Sequence, residues 1–206
     1  MLKLYGQYRS RTFRVAWLCK ESEIPFEHVN VTINVEGAGC KQPAYVALNP
    51  NARVPTIDDD GFVMWESAAI NLYLAEKHGS PLWPKDLKGK GRAYQWAFFI
   101  ANDVEPHMIT VMQHRMMFAP EKRDPALAAA ADEKLQPRLK VLDDHLAKNR
   151  FFDIDHWGLA DFMVASVCYS FTVMKYDLAR YPSFQRWLLA SIERPKAREA
   201  RALRGE

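Results

Sequence analysis

The sequence lacks most of the features that mark exported, membrane-spanning or metal-dependent proteins. Only three cysteines occur in 206 residues, Cys19, Cys40 and Cys168, and no two of them form a CxxC. An odd, widely spaced set argues against a disulfide framework and fits a reducing compartment. No apolar run approaches the roughly 18–20 residues that a membrane span needs. "MLKLYG" opens directly into a strand-like pattern, without a basic n-region or an apolar h-region. The expectation is a soluble, cytoplasmic chain with no membrane among its partners. The six histidines show neither HExxH nor CxxC…H spacing. His107 and His114 are spaced to share a helix face, but such a pair is more often packing or surface than a ligand set, so no metal is expected. Charge of one sign is also scarce. The net charge is +3, and "RPKAREARALRGE" (194–206), with five basic and two acidic residues, carries all of it. So short a basic tail is expected to be a solvated helix, and nucleic acid is not expected as a partner. There is no internal repeat, and the one biased tract, "ALAAAAD", is good helix former.

A length of 206 residues with 49% hydrophobic content allows one large domain or two small ones. The periodicity favours two. "MLKLY" and "FEHVNVT" alternate as strands do, and "SRTFRVAWLCKES" has helical spacing. The stretch 37–53 reads as loop, short helix and turn. In "RVPTIDDDGFVMWESAAI" (53–70) two strands are joined by a DG turn and run into the helix "ESAAINLYLAEKHG". The order is β-α-β-α-β-β-α over residues 1–79. A Pro-, Gly- and Lys-rich stretch, 80–91, reads as a linker. From 92 to 206 the strand signal vanishes. A long helix, bent at Pro106, is followed by one with Asp124 as N-cap and Pro125 in its first turn. "GLADFMVASVCYSFTVMK" is apolar nearly all round and is expected at the centre of an all-α bundle.

Several residues carry two readings on spacing alone. Pro55 opens a strand, where a trans proline at the first position suffices, although a cis Val54–Pro55 bond is open. Glu66 and Ser67 start a helix. They serve either as caps or, through free amides and a hydroxyl, as a site for a ligand carboxylate with Glu66 on a neighbouring ammonium. Ser10, between the first strand and the first helix, is either an N-cap or a hydrogen-bond donor to a thiolate. It has no neighbouring His–Asp pair to make it a nucleophile. Met108, Met112 and Met116 recur every four residues, as core packing or as an adaptable pocket lining.

Taken together these residues resemble the cytosolic glutathione transferases over nearly the whole chain. "NPNARVPTIDDDGFVMWESAAINLYLAEK" (49–77) is similar to that family's most diagnostic block, and "GLADFMVAS" (158–166) to its folding box. The resemblance implies a thioredoxin-like glutathione domain followed by the helical domain, a homodimer, and conjugation of glutathione, as substrate, to small hydrophobic electrophiles. Pro55 would be cis, and the backbone of Val54 would pair with the cysteinyl unit. Ser67 and Glu66 would hold the γ-glutamyl end, with Asp103 reaching it from the partner subunit. Gln42 or Lys41, and less directly Arg53, would meet the glycyl carboxylate. Ser10 has the spacing of bacterial serine-type classes, with Tyr8 and Thr12 as rivals for the thiolate donor. The absence of cysteine from that loop counts against the disulfide-reducing classes. Tyr8, Met108 and Met112 would line the electrophile pocket. A glutathione-dependent isomerase or dehalogenase, or a non-catalytic binding relative, are the alternatives. The folding box departs from the family pattern at Gly158, where Ser or Thr is usual. Asp161 is expected still to reach the cap amide and Trp157 to pack on Phe162.

Overall fold

The computed structural model describes residues 1–33 and 38–206, so Gly37, at the head of the expected 37–53 loop, lies outside the described residues. The chain forms two units, Met1–Trp83 with Arg194–Glu206, and Pro84–Glu193. In the first, β1 (Leu2–Tyr5), α1 (Thr12–Glu21), β2 (Glu27–Val29), α2 (Pro43–Val46), β3 (Thr56–Asp59), β4 (Phe62–Trp65) and α3 (Ser67–Lys77) follow the expected order. The sheet runs β2-β1-β3-β4, with β2 parallel to β1 and the other pairs antiparallel. Leu4 lies opposite Ile57 and both are fully buried, which fixes the inner face of the register. The β3–β4 hairpin turns at Asp60 and Gly61, both at positive φ (53° and 94°), the backbone a tight two-residue hairpin requires. β2 is shorter than the alternation in 26–32 suggested. Its ladder to β1 ends at Val29.

In the second unit, α4 (Leu87–Phe99) and α5 (Glu105–Met112) form one continuous helical run, each followed by a π-type turn, Ile100–Val104 and Gln113–Met117. The first π-type turn comes just before Pro106, whose missing N–H breaks the i→i−4 ladder. α6 (Pro125–Lys148) begins as expected, with the Asp124 carboxylate accepting from Leu127 N at 2.9 Å. α7 (Leu159–Val173) is buried without a break from Leu159 to Tyr169 and packs on α4, α5 and α8 (Pro182–Ile192). The expected linker is too long. α4 already starts at Leu87, and the Asp86 carboxylate caps it, accepting from Gly89 N at 2.7 Å.

The second boundary also needs correction. Residues 194–206 belong to the first unit, and the basic tail is not a solvated helix. α9 (Pro195–Ala202) packs along α1 and buries Ala197 and Ala200. This is why α1 is buried almost all round, from Thr12 to Cys19, although its spacing suggested one apolar face. The join is ionic as well as apolar. Glu21, its side chain 3% exposed, accepts from Arg194 at 2.9 and 3.2 Å and from the Trp17 indole at 3.1 Å. Arg194→Met is expected to destabilise the chain by about 2–3 kcal/mol, somewhat below a fully buried pair because Arg194 is a third exposed. Urea unfolding tests this, and a change under 0.5 kcal/mol, the scale of a surface pair, contradicts it.

At the start of α7, Asp161 reaches back as expected. Its carboxylate accepts from Phe152 N (3.0 Å), Asp153 N (3.1 Å), Gly158 N (3.4 Å) and Trp187 Nε1 (2.8 Å), and Trp157 packs edge-on to Phe162. Gly158 leaves room here for the Asp153 carboxylate, which would have to shift for any larger residue. A Cβ at that position would lie 2.1 Å from Asp153 Oδ2.

Candidate active site

The turn Gln7–Ser10 joins β1 to α1 and is closed by Ser10 N donating to Gln7 O at 3.1 Å. Ser10 Oγ donates to the same carbonyl at 2.6 Å and accepts from Thr12 N at 3.1 Å. Ser10 therefore serves the helix start, although the first residue outside α1 is Arg11. Thr12, wholly buried, packs under Gly6, whose φ of 137° and 2.0 Å approach of a would-be Cβ to Thr12 Oγ1 admit only glycine. Burial removes Thr12 from contention as an accessible donor. The Tyr8 ring stacks on His28 at 4.0 Å, and its hydroxyl makes no hydrogen bond among the described residues. Burial, then Cys19 nearby, raises the Tyr8 pKa, so its phenol stays a protonated donor. His28 holds Gly6 O at 2.7 Å and was not singled out from sequence.

Beyond this turn lies the segment before β3. The Val54–Pro55 peptide is cis. Arg53 O accepts from Tyr45 Oη (2.7 Å) and Asn49 Nδ2 (2.8 Å), and Thr56 Oγ1 bonds to both of those side chains at 2.8 and 3.1 Å. This buried three-residue knot fixes the loop on either side of Pro55. It leaves the N–H and C=O of Val54 without a hydrogen bond among the described residues. Arg53 is exposed, as are Lys41 and Gln42 ahead of α2.

Two capping expectations fail at α3. Glu66 sits at φ 75°, a costly backbone for a non-glycine residue, and its side chain makes no cap bond. Ser67 is 5% exposed, and its hydroxyl has no partner among the described residues. An eleven-residue helix thus begins with free amides and an unpartnered hydroxyl on a residue only 5% exposed, whereas α4 and α6 are capped by aspartates. In the second unit, Met108 is fully buried and belongs to the core rather than to a pocket lining. Met112 is half-buried, and Met116 is 42% exposed. Asp103, in the first π-type turn, faces Arg138 at 3.9 Å. His114 Nδ1 accepts from Asp124 N, so it braces the start of α6.

A family model for the N-terminal domain of glutathione S-transferases matches residues 1–76, and one for their C-terminal domain matches residues 125–190. Glutathione S-transferase F9 of Arabidopsis thaliana is 32% identical over 78% of this chain and 76% of its own. The chain belongs to the glutathione S-transferase family. Glutathione S-transferase GstB of Escherichia coli K12 is 28% identical over 97% of each chain. A glutathione S-transferase-I solved with the ligand lactoylglutathione superposes with a TM-score of 0.87 at 25% identity, over 98% of this chain and 99% of that one. The transferase's two units correspond to the thioredoxin-like and helical domains of the family. No helix among the described residues is long and apolar enough to cross a membrane.

Proposed function

We propose that the transferase binds glutathione along its first unit, holds the sulfur as a thiolate through Ser10, and adds it to a small hydrophobic electrophile in the manner of bacterial serine-type members. The observation that carries this is the start of α3. Its free amides and the unpartnered Ser67 hydroxyl are donors at the positive end of a helix dipole, and a ligand carboxylate is the group they fit. The γ-glutamyl carboxylate sits there, with Glu66 beside its ammonium. The cysteinyl unit pairs with the open backbone of Val54 like a short added strand. Gln42, Lys41 or Arg53 meets the glycyl carboxylate, and Asp103 of a second subunit meets the γ-glutamyl ammonium. The lactoylglutathione on a structural neighbour supports the ligand. Exposed Phe62 (51%) on β4 and Phe98 (63%) on α4 support a homodimer, and three buried free thiols suit the cytoplasm.

The chemistry asked of the protein is modest. A free thiol titrates near 8.5, and lowering that by about two units takes roughly 2.7 kcal/mol. A hydrogen bond to the charged sulfur supplies about 1.5–3 kcal/mol, and the N-terminus of α1 adds about 0.3–1. No general base is required.

Ser67→Ala is expected to weaken glutathione binding by about 1–3 kcal/mol, fivefold to more than a hundredfold in Kd. Since Ser67 makes no cap bond, its loss changes stability little. Calorimetry that finds unchanged affinity in the mutant overturns the carboxylate assignment. Failure of the wild-type chain to bind immobilised glutathione overturns the whole proposal.

A further inference from the structure

The C-terminal residues do more than end α9. After Ala202 the chain continues in a tight turn, with Leu203 N, Arg204 N and Gly205 N donating to the carbonyls of Ala200, Arg201 and Ala202. That turn brings Arg204 onto the loop that carries Ser10. Its Nη1 donates to Tyr8 O at 2.9 Å, and its guanidinium lies 5.0 Å from the centre of the Phe13 ring. Its Nε holds Glu206 at 3.0 Å, and Arg9 Nε returns a bond to Arg204 O at 3.2 Å. The Arg204 side chain is only 12% exposed. The charged groups gathered here are Arg9, Arg204 and Glu206.

The bond to Tyr8 O falls at a sensitive point. Gln7–Ser10 is a β-turn, and Tyr8–Arg9 is its central peptide. Turns of types I and II differ by a flip of that peptide, which reverses its carbonyl while the closing hydrogen bond survives. Arg9 is not among the positive-φ residues, so the turn has the type I sense that a non-glycine at its third position favours, and the bond from Arg204 to Tyr8 O adds a second restraint that the closing bond does not supply. Releasing that carbonyl would loosen the peptide that separates the Tyr8 ring from the Ser10 hydroxyl.

We propose that Leu203–Glu206 clamp the Gln7–Ser10 turn, with Arg204 as a positioning residue that keeps the thiolate donor aimed at the glutathione sulfur. The inference rests on the proposed function and adds a determinant outside its ligand-binding residues. A planar fork that donates to a carbonyl and stacks on an aromatic ring is work for arginine, not for any cation.

The test is the ultraviolet thiolate absorbance of bound glutathione against pH in wild type, R204M and R204K, with steady-state kinetics. R204M is expected to raise the thiol pKa by about half to one unit and to lower kcat severalfold near neutral pH, with the KM for glutathione within about twofold. R204K should recover less than half of the shift. A wild-type titration that R204M leaves in place overturns the clamp alone, whatever the change in melting temperature. Full recovery in R204K overturns positioning in favour of charge. A wild-type chain that shows no bound thiolate overturns the proposed function and the clamp together.

Discussion

Ser10→Ala is expected to raise the pKa of bound glutathione by about one to two units, because the variant loses a charge-assisted bond of roughly 1.5–3 kcal/mol to the thiolate. Turnover near neutral pH falls about ten- to a hundredfold. The glutathione Kd moves little, because the two ends of the tripeptide are held at α3 and ahead of α2. The pH–rate profile shifts upward without losing its shape. Ser10 Oγ lies 2.6 Å from Gln7 O and 3.0 Å from Thr12 Oγ1, while the Tyr8 hydroxyl makes no hydrogen bond among the described residues. If Ser10 is the donor, its hydroxyl turns from Gln7 O to the sulfur, and the carbonyl keeps the Ser10 amide as its donor. Tyr8→Phe is the matched control, and it is expected to leave the titration in place. If Tyr8→Phe moves the titration and Ser10→Ala does not, Tyr8 is the donor. If neither moves it, amides and the α1 dipole hold the thiolate unaided.

The first seven elements were readable because each has a local signature. Two strands flank a DG turn whose backbone needs positive φ, and the helix after them opens on a Glu–Ser pair. α7 was readable because a helix apolar on all sides has only the interior to occupy. The tail was not. Its buried face is made of Ala197 and Ala200, residues too small to register as an apolar stripe among five basic neighbours. Its anchor, Arg194 on Glu21, spans the length of the chain. No local rule pairs those two residues.

The candidate site divides in the same way. Ser67 and Glu66 stand out in the sequence, but that neither makes a cap bond is visible only in the structure, and it removes the cap reading alone. The Tyr45–Asn49–Thr56 knot escaped notice because its members are ordinary residues joined only through Arg53 O. Asn49 alone carried a hint, as the first residue of the NP pair. Met108 illustrates the opposite error. A four-residue methionine repeat marks one helix face but does not say what covers it, and Met108 is sealed in the core.

Asp161→Ala is expected to cost about 3–5 kcal/mol of folding stability, at the far end of single-site effects. The carboxylate is wholly buried and gathers four N–H groups, three of them main-chain, from the loop before α7 and from Trp187 on α8. Alanine leaves those donors without an acceptor, and the Asp153 carboxylate that presses on Gly158 loses the amide bond that places it. Asp161→Asn keeps one acceptor oxygen but turns an NH₂ group toward donors, so it is expected to fall between wild type and alanine. The two also differ in pH dependence. Burial lifts the Asp161 pKa from 3.8 to about 6 against the pull of the four donors. The folded state then binds more protons than the unfolded state between those values. Its contribution to stability is full below the unfolded pKa of about 3.8 and is lost as pH rises through about 6. Denaturant unfolding at a series of pH values should show the wild-type advantage over Asp161→Asn shrinking from pH 4 to pH 6 and then levelling. An advantage that grows over that interval means that the donors outweigh burial and that the carboxylate titrates below its unfolded value. An alanine variant within 1 kcal/mol of wild type means that water replaces the carboxylate at the start of α7.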